Sequence, residues 1–400
     1  MVPDRGLPGR VWGVASSRDS FDVVVVGAGI VGAFCADRLS AAGLRVCVID
    51  RGAVVSGTTG AGEGNILVSD KEPGPELDLA LLSRRLWFDL LDELPEAVEL
   101  DAKGGLIVSR TQDGLAALVA GADEQQAHGI DTLVVGADEL ASLEPHLAPG
   151  LAGGVHYPQD MQVQPMLAAA HLLRRARSQG ADVRPHTELL TIERGPDGVV
   201  TGALTRGGLL GCRWVVNAAG TWGGEVAAMA GAPVPVLPRR GFILVTEPLR
   251  PGTVRHKVYG ADYVANVASD SAGLETSPVV ESTRSGTVLI GASRERVGFD
   301  RTTSYDVLGR LAAQATELFP VLRSVRAQRT YRGFRPYCPD HLPVIGLDSR
   351  ADGLVHACGH EGAGIGLAPG TALLVTEAIT GSPLSMPLDA FSPLRFGEGA

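Results

Sequence analysis

The chain contains few cysteines, and their spacing argues against several kinds of metal site. There are five among 400 residues: Cys35, Cys47, Cys212, Cys338 and Cys358. No two of them form the C-x-x-C pair that is typical of zinc ribbons and iron–sulfur clusters. We therefore expect isolated, reduced thiols, no bound metal, and a cytoplasmic protein, because disulfides are rare in that compartment.

Basic residues are fewer than acidic residues, and long apolar runs are absent. Aspartate and glutamate number 45 against 35 lysines and arginines, which gives a net charge of −10. This balance argues against nucleic acid or an anionic membrane surface as the main partner. No uninterrupted apolar run is long enough to span a bilayer. Residues 1–20 are rich in Gly, Pro, Ser and Arg without an apolar core. They predict a disordered leader, or a start codon assigned too early, instead of a secretory signal.

A dinucleotide-binding pattern stands near the start of the chain. The valine run Val23–Val26 leads directly into the glycine-rich hexapeptide Gly27–Gly32, and a helical pattern follows. Valine suits a strand buried on both faces, and the three glycines allow a tight turn, close approach to a pyrophosphate and close helix packing. A second strand ends at Asp50, 23 residues after Gly27, where a ribose needs an acceptor. The alternative is a tight strand-to-helix turn without a ligand.

Three further segments are rich in glycine or other small residues and predict backbone lying against a flat or charged ligand. The first, 57–65, has a glycine at every second or third position, and a flexible linker is the alternative. The segments 217–222 and 359–366 each follow an apolar strand. Small residues directly after a strand indicate that another group approaches the backbone closely.

In this order, and with 333–346, these segments resemble the D-amino-acid oxidase superfamily of flavoproteins, which includes glycine oxidase and sarcosine oxidase. The likeness extends from about residue 21 to 390. Segments 65–75 and 359–366 resemble more narrowly the catalytic β-type subunits of D-hydroxyproline and proline dehydrogenases.

The resemblance implies a composite α/β fold with two interleaved domains. A Rossmann-like FAD-binding domain, discontinuous in sequence, carries an inserted antiparallel-sheet substrate domain. The expected FAD-binding pieces are 21–95, 150–230 and 330–390, and the substrate-binding pieces are 96–149 and 231–329.

The resemblance also assigns the residues that bind FAD, without a covalent bond. Some sarcosine oxidases attach their flavin to a cysteine whose place is taken here by Gly333, so no covalent link is expected by that route. The expected FAD-binding residues are Gly27, Ala28, Gly29, Ile30, Val31, Gly32, Asp50, Arg51, Thr58, Thr59, Gly60, Gly64, Asn65, Ala219, Gly220, Trp222, Gly359, Gly362, Ala363, Gly364, Ile365 and Gly366.

The reaction implied by the resemblance is oxidation of the C–N bond of an amino acid or secondary amine acid. A hydride moves to flavin N5 and an imine forms. Arg335 matches the family position whose guanidinium binds the substrate carboxylate, for which a planar fork is well suited. A structural salt bridge is the alternative for Arg335, and Arg332 is the second candidate for that role.

Four other residues have two interpretations each. Tyr259 and Tyr263 are expected on the sheet over the substrate, or else as amphipathic core tyrosines. His360 either shapes the flavin environment or simply packs. Glu63 either accepts a proton from the substrate amine or is a solvated loop carboxylate.

The substrate is expected to reduce the flavin directly, because the sequence has one nucleotide fingerprint and not the second that NADPH-dependent reductases use. Two alternatives stay open. One is a stand-alone glycine- or sarcosine-type oxidase that passes electrons to oxygen. The other is a flavin-bearing subunit of a larger electron-transfer complex, which would require a partner protein.

Overall fold

The computed structural model describes residues 19–90, 92–267 and 269–397. The helices in this part of the chain are α1 Ile30–Ala41, α2 Pro75–Asp89, α3 Gln112–Gln126, α4 Ala137–Leu143, α5 Pro165–Ser178, α6 Gly223–Met229, α7 Asp262–Val267, α8 Tyr305–Leu318 and α9 Gly364–Thr380. The strands are β1 Ser20–Val26, β2 Val46–Ile49, β3 Asn65–Ile66, β4 Gly105–Ser109, β5 Leu133–Gly136, β6 Gly153–Tyr157, β7 Met161–Gln162, β8 Asp182–Arg184, β9 Leu189–Arg194, β10 Val200–Thr205, β11 Gly208–Asn217, β12 Leu237–Thr246, β13 Lys257–Gly260, β14 Glu275–Ser282, β15 Val288–Arg294, β16 Ala327–Tyr337, β17 Val344–Leu347 and β18 Leu354–Cys358.

The first sheet is built around the valine run of β1. Its strands lie in the order β17-β18-β11-β1-β2-β8, and the neighbours of β1 are parallel to it. Val23 and Val25 belong to one hydrophobic core and Val24 and Val26 to another. Since successive side chains of a strand point to opposite faces, β1 is buried on both sides. The sequence prediction of a doubly covered strand is confirmed.

The second sheet is antiparallel except at one pair. Its order is β16-β12-β15-β14-β13-β4-β6-β5, and only β13 and β4 run parallel among these described strands. Helix α8 covers one face, because Val307, Leu311 and Leu318 share a core with Phe242 and Leu244 of β12. The first sheet is mixed, with a parallel centre and antiparallel pairs at β9–β10, β10–β11 and β17–β18. Together with the separate, mainly antiparallel sheet, it confirms the predicted composite α/β fold.

Some predicted boundaries differ from the observed elements. Of the predicted leader, residues 1–18 lie outside the described residues, and Ser20 already belongs to β1. Strands β6 and β16 pair within the second sheet, although the ranges 150–230 and 330–390 were expected to form the FAD-binding domain. A division by sheets would therefore move these two boundaries to the ends of β6 and β16, and the domain division stays a proposal.

The turn from β1 into α1 depends on close backbone contacts. Gly27 has a φ of +114°, and a Cβ atom there would lie 2.3 Å from the carbonyl oxygen of Ala218. A Cβ atom on Gly32 would lie 1.9 Å from the carbonyl oxygen of Gly27. Both contacts are with backbone, which cannot move aside as a flexible side chain can. The glycines thus allow β1, α1 and the end of β11 to meet.

Gly32→Ala should therefore destabilise the protein, by about 1–3 kcal/mol if its cost resembles that of other overpacked sites. Thermal unfolding and the FAD content of the purified variant measure the effect. Gly121→Ala is the matched control, because this exposed helical glycine has no atom within 4 Å of an added Cβ. The control should unfold at the wild-type temperature or above it. Equal stability of Gly32→Ala and wild type would contradict the packing role.

Candidate active site

A cavity of about 450 Å³ lies between the two sheets. One end opens at the carboxyl ends of β1 and β2, and the other lies beneath β12 and β16. The predicted site residues on its wall are Gly27, Gly29, Ile30, Val31, Asp50, Arg51, Thr58, Thr59, Asn65, Ala219, Gly220, Trp222, Tyr263, Arg335, His360, Gly362, Gly364 and Ile365. Segments that are far apart in the sequence thus share one elongated site.

The end near β1 presents backbone donors and a carboxylate. Gly29 precedes α1 and no side chain caps this helix, although Thr59 Oγ1 accepts a hydrogen bond from the Ile30 amide at 3.0 Å. Asp50 Oδ2 accepts from the Ala28 amide at 2.9 Å, and its Oδ1 accepts from the Gly52 amide at 2.8 Å. Each carboxylate oxygen keeps acceptor capacity for a ribose hydroxyl. A helix N-terminus beside such an acid suits a nucleotide.

Aromatic and cationic side chains form a stack at this end of the cavity. The Arg51 guanidinium carbon lies 4.1 Å from the centre of the Trp222 ring. Trp222 is parallel to Phe299, with ring centres 5.3 Å apart, and Phe299 meets Phe334 edge-on at 5.3 Å. Phe299 and Phe334 were not among the predicted residues. Phe334 lies on β16, and Phe299 lies in the segment between β15 and α8.

At the opposite end, α9 begins at the cavity wall. Gly364 is its first residue and lines the cavity, and the helix runs for 17 residues without a side-chain cap at its start. The backbone N–H groups of its first turn and its positive dipole end therefore lie at the cavity. Negative charge that develops on a ligand there would be stabilised.

His360 is neutral in this environment. It is 4% exposed, and burial lowers its pKa to about 3. Its Nε2 lies 2.9 Å from Thr371 Oγ1, and the Thr371 hydroxyl donates to the Leu367 carbonyl. The imidazole is therefore the donor in the first bond, which leaves Nδ1 as an acceptor. His360 both packs and borders the cavity.

Glu361 is a cavity residue that sequence reasoning did not select. Its φ is +45°, which is uncommon for a residue with a side chain. Arg239 Nη1 lies 2.6 Å from Oε1, and His341 Nδ1 lies 3.0 Å from Oε2. Burial alone would raise the pKa of Glu361, but the bonds from His341 and Arg239 hold it below its ordinary value. This carboxylate is thus ionised and already paired.

Arg335 reaches the cavity from β16, the strand that pairs with β12. Its Nη1 donates to the Ser293 carbonyl at 2.9 Å. A Cβ atom at Gly241 would lie 2.3 Å from this nitrogen, so the glycine makes room for the guanidinium. No acidic side chain of the described residues forms an ion pair with Arg335. Arg332, the second candidate, does not line the cavity, although it lies on the same strand.

The two tyrosines have separate environments. Tyr263 lines the cavity, but it lies on α7 and not on the expected sheet, because β13 ends at Gly260 and Asp262 begins a helix. Tyr259 is fully buried and off the cavity wall, and its hydroxyl contacts Ser69 Oγ. The structure therefore does not bring Tyr259 to the site.

Several predicted FAD-binding residues pack behind the cavity wall. The group comprises Ala28, Gly32, Gly60, Gly64, Gly359, Ala363 and Gly366. A Cβ atom on Gly64 would lie 1.8 Å from the Val163 carbonyl oxygen, and a Cβ atom on Gly359 would lie 2.6 Å from Cys338 Sγ. In these two cases the glycine is required by protein packing. Such a glycine and a ligand-facing glycine look the same in sequence.

The wall also contains residues that were not among the predicted site residues, from β12, from β16 and from the segment between β15 and α8. They include Gly241, Ile243, Arg301, Gly333, Phe334 and Pro336. Gly241 and Ile243 lie two residues apart on β12 and Gly333 and Arg335 two apart on β16, so each pair shares a face. This alternation is a sequence signal that could have pointed to Gly241, Ile243 and Gly333.

Residues 22–378 match the family described as "DAO: FAD dependent oxidoreductase". The chain belongs to this family. Similar members include glycine oxidase of Geobacillus kaustophilus, which is 30% identical over 94% of this chain and 97% of its own length. Hydrogen cyanide synthase subunit HcnC of Pseudomonas aeruginosa is 28% identical over 94% of this chain and 96% of its own.

Solved structures of the DAO family agree with the fold. The crystal structure of glycine oxidase from Geobacillus kaustophilus has a TM-score of 0.85 at 28% identity, and covers 94% of this chain and 99% of its own. L-proline dehydrogenase from P. horikoshii has the same fold, with a TM-score of 0.84 at 24% identity, 94% of this chain and 97% of its own. The predicted family, enzyme class and FAD cofactor are confirmed.

The residues of the cavity fit FAD. The first turn of α1 and Asp50 suit the pyrophosphate and ribose. The Gly362–Ile365 segment brings backbone and the start of α9 to the cavity, as a flat ring with developing negative charge requires. We infer that these groups bind the two ends of the cofactor in this DAO-family enzyme.

FAD should be released intact when the protein is denatured. All five cysteines are buried, and none is among the described residues that line the cavity. Burial raises the pKa of the Cys338 thiol to about 12, so this thiol is not the ionised nucleophile that attachment would need. Acid precipitation should leave all flavin absorbance in the supernatant. Yellow colour in the washed pellet would contradict this.

Proposed function

We propose that this DAO-family enzyme oxidises the C–N bond of a small amino acid or secondary amine acid. FAD, when bound, supplies the hydride acceptor, and the product is an imine that water can hydrolyse. Relatives over nearly the whole chain include enzymes named glycine oxidase, which supports the reaction class predicted from the sequence. The proposed substrates include D-amino acids, glycine-like amino acids and hydroxyproline- or proline-like compounds.

The observation that best supports this proposal is the environment of the Arg335 guanidinium. It borders the cavity, is partly buried, and makes one hydrogen bond, to a carbonyl and not to a carboxylate. The neighbouring Arg239 and Arg240 differ, because each is paired with acidic side chains. A partly desolvated cation beside a cofactor site, without an acidic partner in the described chain, favours an anionic substrate. The carboxylate of an amino acid meets this requirement.

The proposed role of Arg335 is to orient the substrate. A carboxylate can receive two parallel N–H···O bonds from one guanidinium, which fixes both position and rotation. Bonds of this charged kind contribute roughly 1.5–3 kcal/mol each. Gly241 leaves space for the guanidinium, and Ser293 holds one of its nitrogens. The orientation would bring the substrate carbon to the cofactor while the rest of the molecule lies near Tyr263 and Ile243.

A role within a larger complex is a second candidate. The observation that favours it is the relative named as a subunit, HcnC, which is similar over 94% of this chain. A separate electron acceptor or partner subunit is therefore proposed alongside direct use of oxygen. Among the described residues, no helix is both long and apolar enough to cross a bilayer. A cytoplasmic location, inferred from the unpaired cysteines, is part of the proposal.

Anaerobic mixing of the FAD-loaded enzyme with a panel of amino acids tests the function. The flavin absorbance near its visible maximum should bleach with at least one small amino acid or secondary amine acid. An amine without a carboxylate, such as ethylamine, serves as the control and should bleach it far more slowly. Readmission of air then separates an oxidase from a dehydrogenase by the rate at which colour returns. Failure of every amino acid would contradict the proposal.

Arg335→Ala should raise the KM of the bleaching amino acid by at least about 10- to 100-fold, because it removes both proposed hydrogen bonds and one alone contributes roughly 1.5–3 kcal/mol. Arg335→Lys should fall between this variant and wild type, because it keeps the charge but not the fork. Steady-state kinetics give KM and kcat separately. Arg332→Ala is the matched control on the same strand. A near-normal KM in both Arg335 variants would show that Arg335 does not bind the substrate carboxylate.

A further inference from the structure

A cluster of buried charges lies directly behind the cavity. Glu63, Lys257 and Glu281 are 9%, 2% and 0% exposed. Lys257 Nζ lies 3.6 Å from Glu63 Oε2 and 4.0 Å from Glu281 Oε2. The first carboxylate belongs to the loop before β3, the lysine to β13 and the second carboxylate to β14. Burying charge is costly unless it is fully satisfied or has a use.

This cluster is incompletely hydrogen-bonded. Glu63 Oε1, Asn65 Oδ1, Lys257 Nζ and Glu281 Oε2 are all buried without a hydrogen-bond partner among the described residues. Glu63 Oε2 does accept from Asn65 Nδ2 at 2.8 Å, which holds the carboxylate in place. Its second oxygen is therefore positioned and free to accept. Four unsatisfied atoms in one place indicate a site and not an isolated packing defect.

Glu63 also borders a second cavity. That cavity has a volume of about 240 Å³ and shares Thr59, Gly62 and Glu63 with the first. Its other wall includes Gln328 and Arg329, which are exposed at the protein surface. Glu63 is the one ionisable side chain of the described residues that lines both cavities. It thus stands between the FAD-facing space and an opening toward solvent.

Glu63 and Arg335 line the same cavity, and both contact β15. Arg335 Nη1 bonds to the carbonyl of Ser293, and Glu63 Oε1 lies 2.5 Å from where a Cβ atom of Gly291 would be. Both contacts are with β15, at positions two residues apart. An ammonium nitrogen and a carboxylate oxygen on one carbon lie about 3 Å apart. The two charged groups of an α-amino acid are thus close enough for one molecule in this cavity to meet both side chains.

We propose that Glu63 accepts the proton that the substrate ammonium group loses, and that the second cavity is the route by which this proton reaches solvent. The inference rests on the proposed function and assigns it a proton acceptor. One N–H bond of the ammonium breaks and one O–H bond forms on Glu63 Oε1. The resulting amine lone pair supports departure of hydride from carbon to the cofactor. Glu63 then returns to its ionised form by releasing the proton through the second cavity.

The surrounding groups favour this task. Those that face the cluster are Lys257 of β13, Glu281 of β14, Tyr331 of β16, Lys103 before β4, Tyr263 of α7 and the more distant Asp70. Burial lowers the pKa of Lys257, but Glu63 and Glu281 outweigh that effect and raise it, so Lys257 stays protonated. Burial raises the pKa of Glu281. Lys257 is therefore a positioning cation, and Glu63 is the carboxylate that meets the substrate.

The test is the pH dependence of flavin bleaching in Glu63→Gln. With the amino acid that bleaches wild type, the rate constant is measured anaerobically from about pH 6 to about pH 10, which brackets an ordinary amine. At neutral pH the variant should be slower by about 10²- to 10⁴-fold, the usual range for loss of a general base. Its rate should recover at high pH, because solvent then deprotonates the amine. A structural defect would slow the reaction equally at every pH.

Two measurements besides activity accompany this profile. The dissociation constant of acetate, followed by the visible spectrum of bound FAD, should be unchanged in Glu63→Gln, since acetate has no amine and uses Arg335. The FAD content should also equal that of wild type. Glu144→Gln is the matched control: this glutamate is fully buried and has an unpartnered Oε2, but it lines neither cavity. It should keep the wild-type pH profile.

The exit route has its own test. Thr287 lines the second cavity only, and Thr287→Leu should narrow it. A pH-indicator dye in weak buffer should then report release of the proton to solvent after the flavin has bleached. In wild type, proton release and bleaching should coincide. If the dye signal and the flavin bleaching still coincide in the variant, the second cavity is not the exit route of the proton. If wild type bleaches and Glu63→Gln keeps its pH profile, the acceptor is wrong while the proposed function stands. If no amino acid bleaches wild type, the proposed function itself fails.

Discussion

The structure depends on a backbone contact between segments that are distant in sequence. Gly27 lies against the carbonyl of Ala218, and Gly32 lies against the carbonyl of Gly27. Because neither position has a Cβ atom, the turn after β1, the start of α1 and the end of β11 come together at one point. The cofactor cavity begins there, and the segments around Asp50 and Trp222 reach it from neighbouring strands. The whole site therefore depends on backbone segments packing more closely at Gly27 and Gly32 than any side chain would permit.

Charge pairing distinguishes the structural from the functional cations around the cavity. Arg239 is bound by Glu361 and Glu275, and these contacts stabilise the protein without requiring a ligand. Arg335 has a carbonyl partner and a route to the cavity. At the other side, Glu63 has one oxygen held and one free. We propose that this cation and this acceptor, both incompletely satisfied, bind the carboxylate and the ammonium group of a zwitterionic substrate.

The predictable part of the site consists of contiguous motifs. The predicted residues that line the cavity include Gly27, Gly29, Ile30, Val31, Asp50, Gly362, Gly364 and Ile365. They were accessible to prediction because a turn, a strand end or a helix start has a local signature. Glycine is a less reliable guide, since Gly64 and Gly359 satisfy packing against Val163 and Cys338 instead of facing the cavity. Tyr259 and Tyr263 lie four residues apart, yet only the second reaches the wall, because the strand ends between them and a helix begins.

The amino-acid sequence by itself determined the family, the cofactor and the composite fold, through the resemblance that segments 27–32, 57–65, 217–222, 333–346 and 359–366 carry in this order. Each of these motifs is a local property that can be recognised without knowledge of distant contacts. Tertiary structure alone decided which charges are paired. Arg335 and Arg332 are equivalent in sequence character, and Glu63 could have been a solvated loop residue. Pairing of β16 with β12 brought Arg335 to the cavity, and β13 and β14 enclosed Glu63 with Lys257 and Glu281. Burial and partnership depend on long-range packing, which no short pattern encodes.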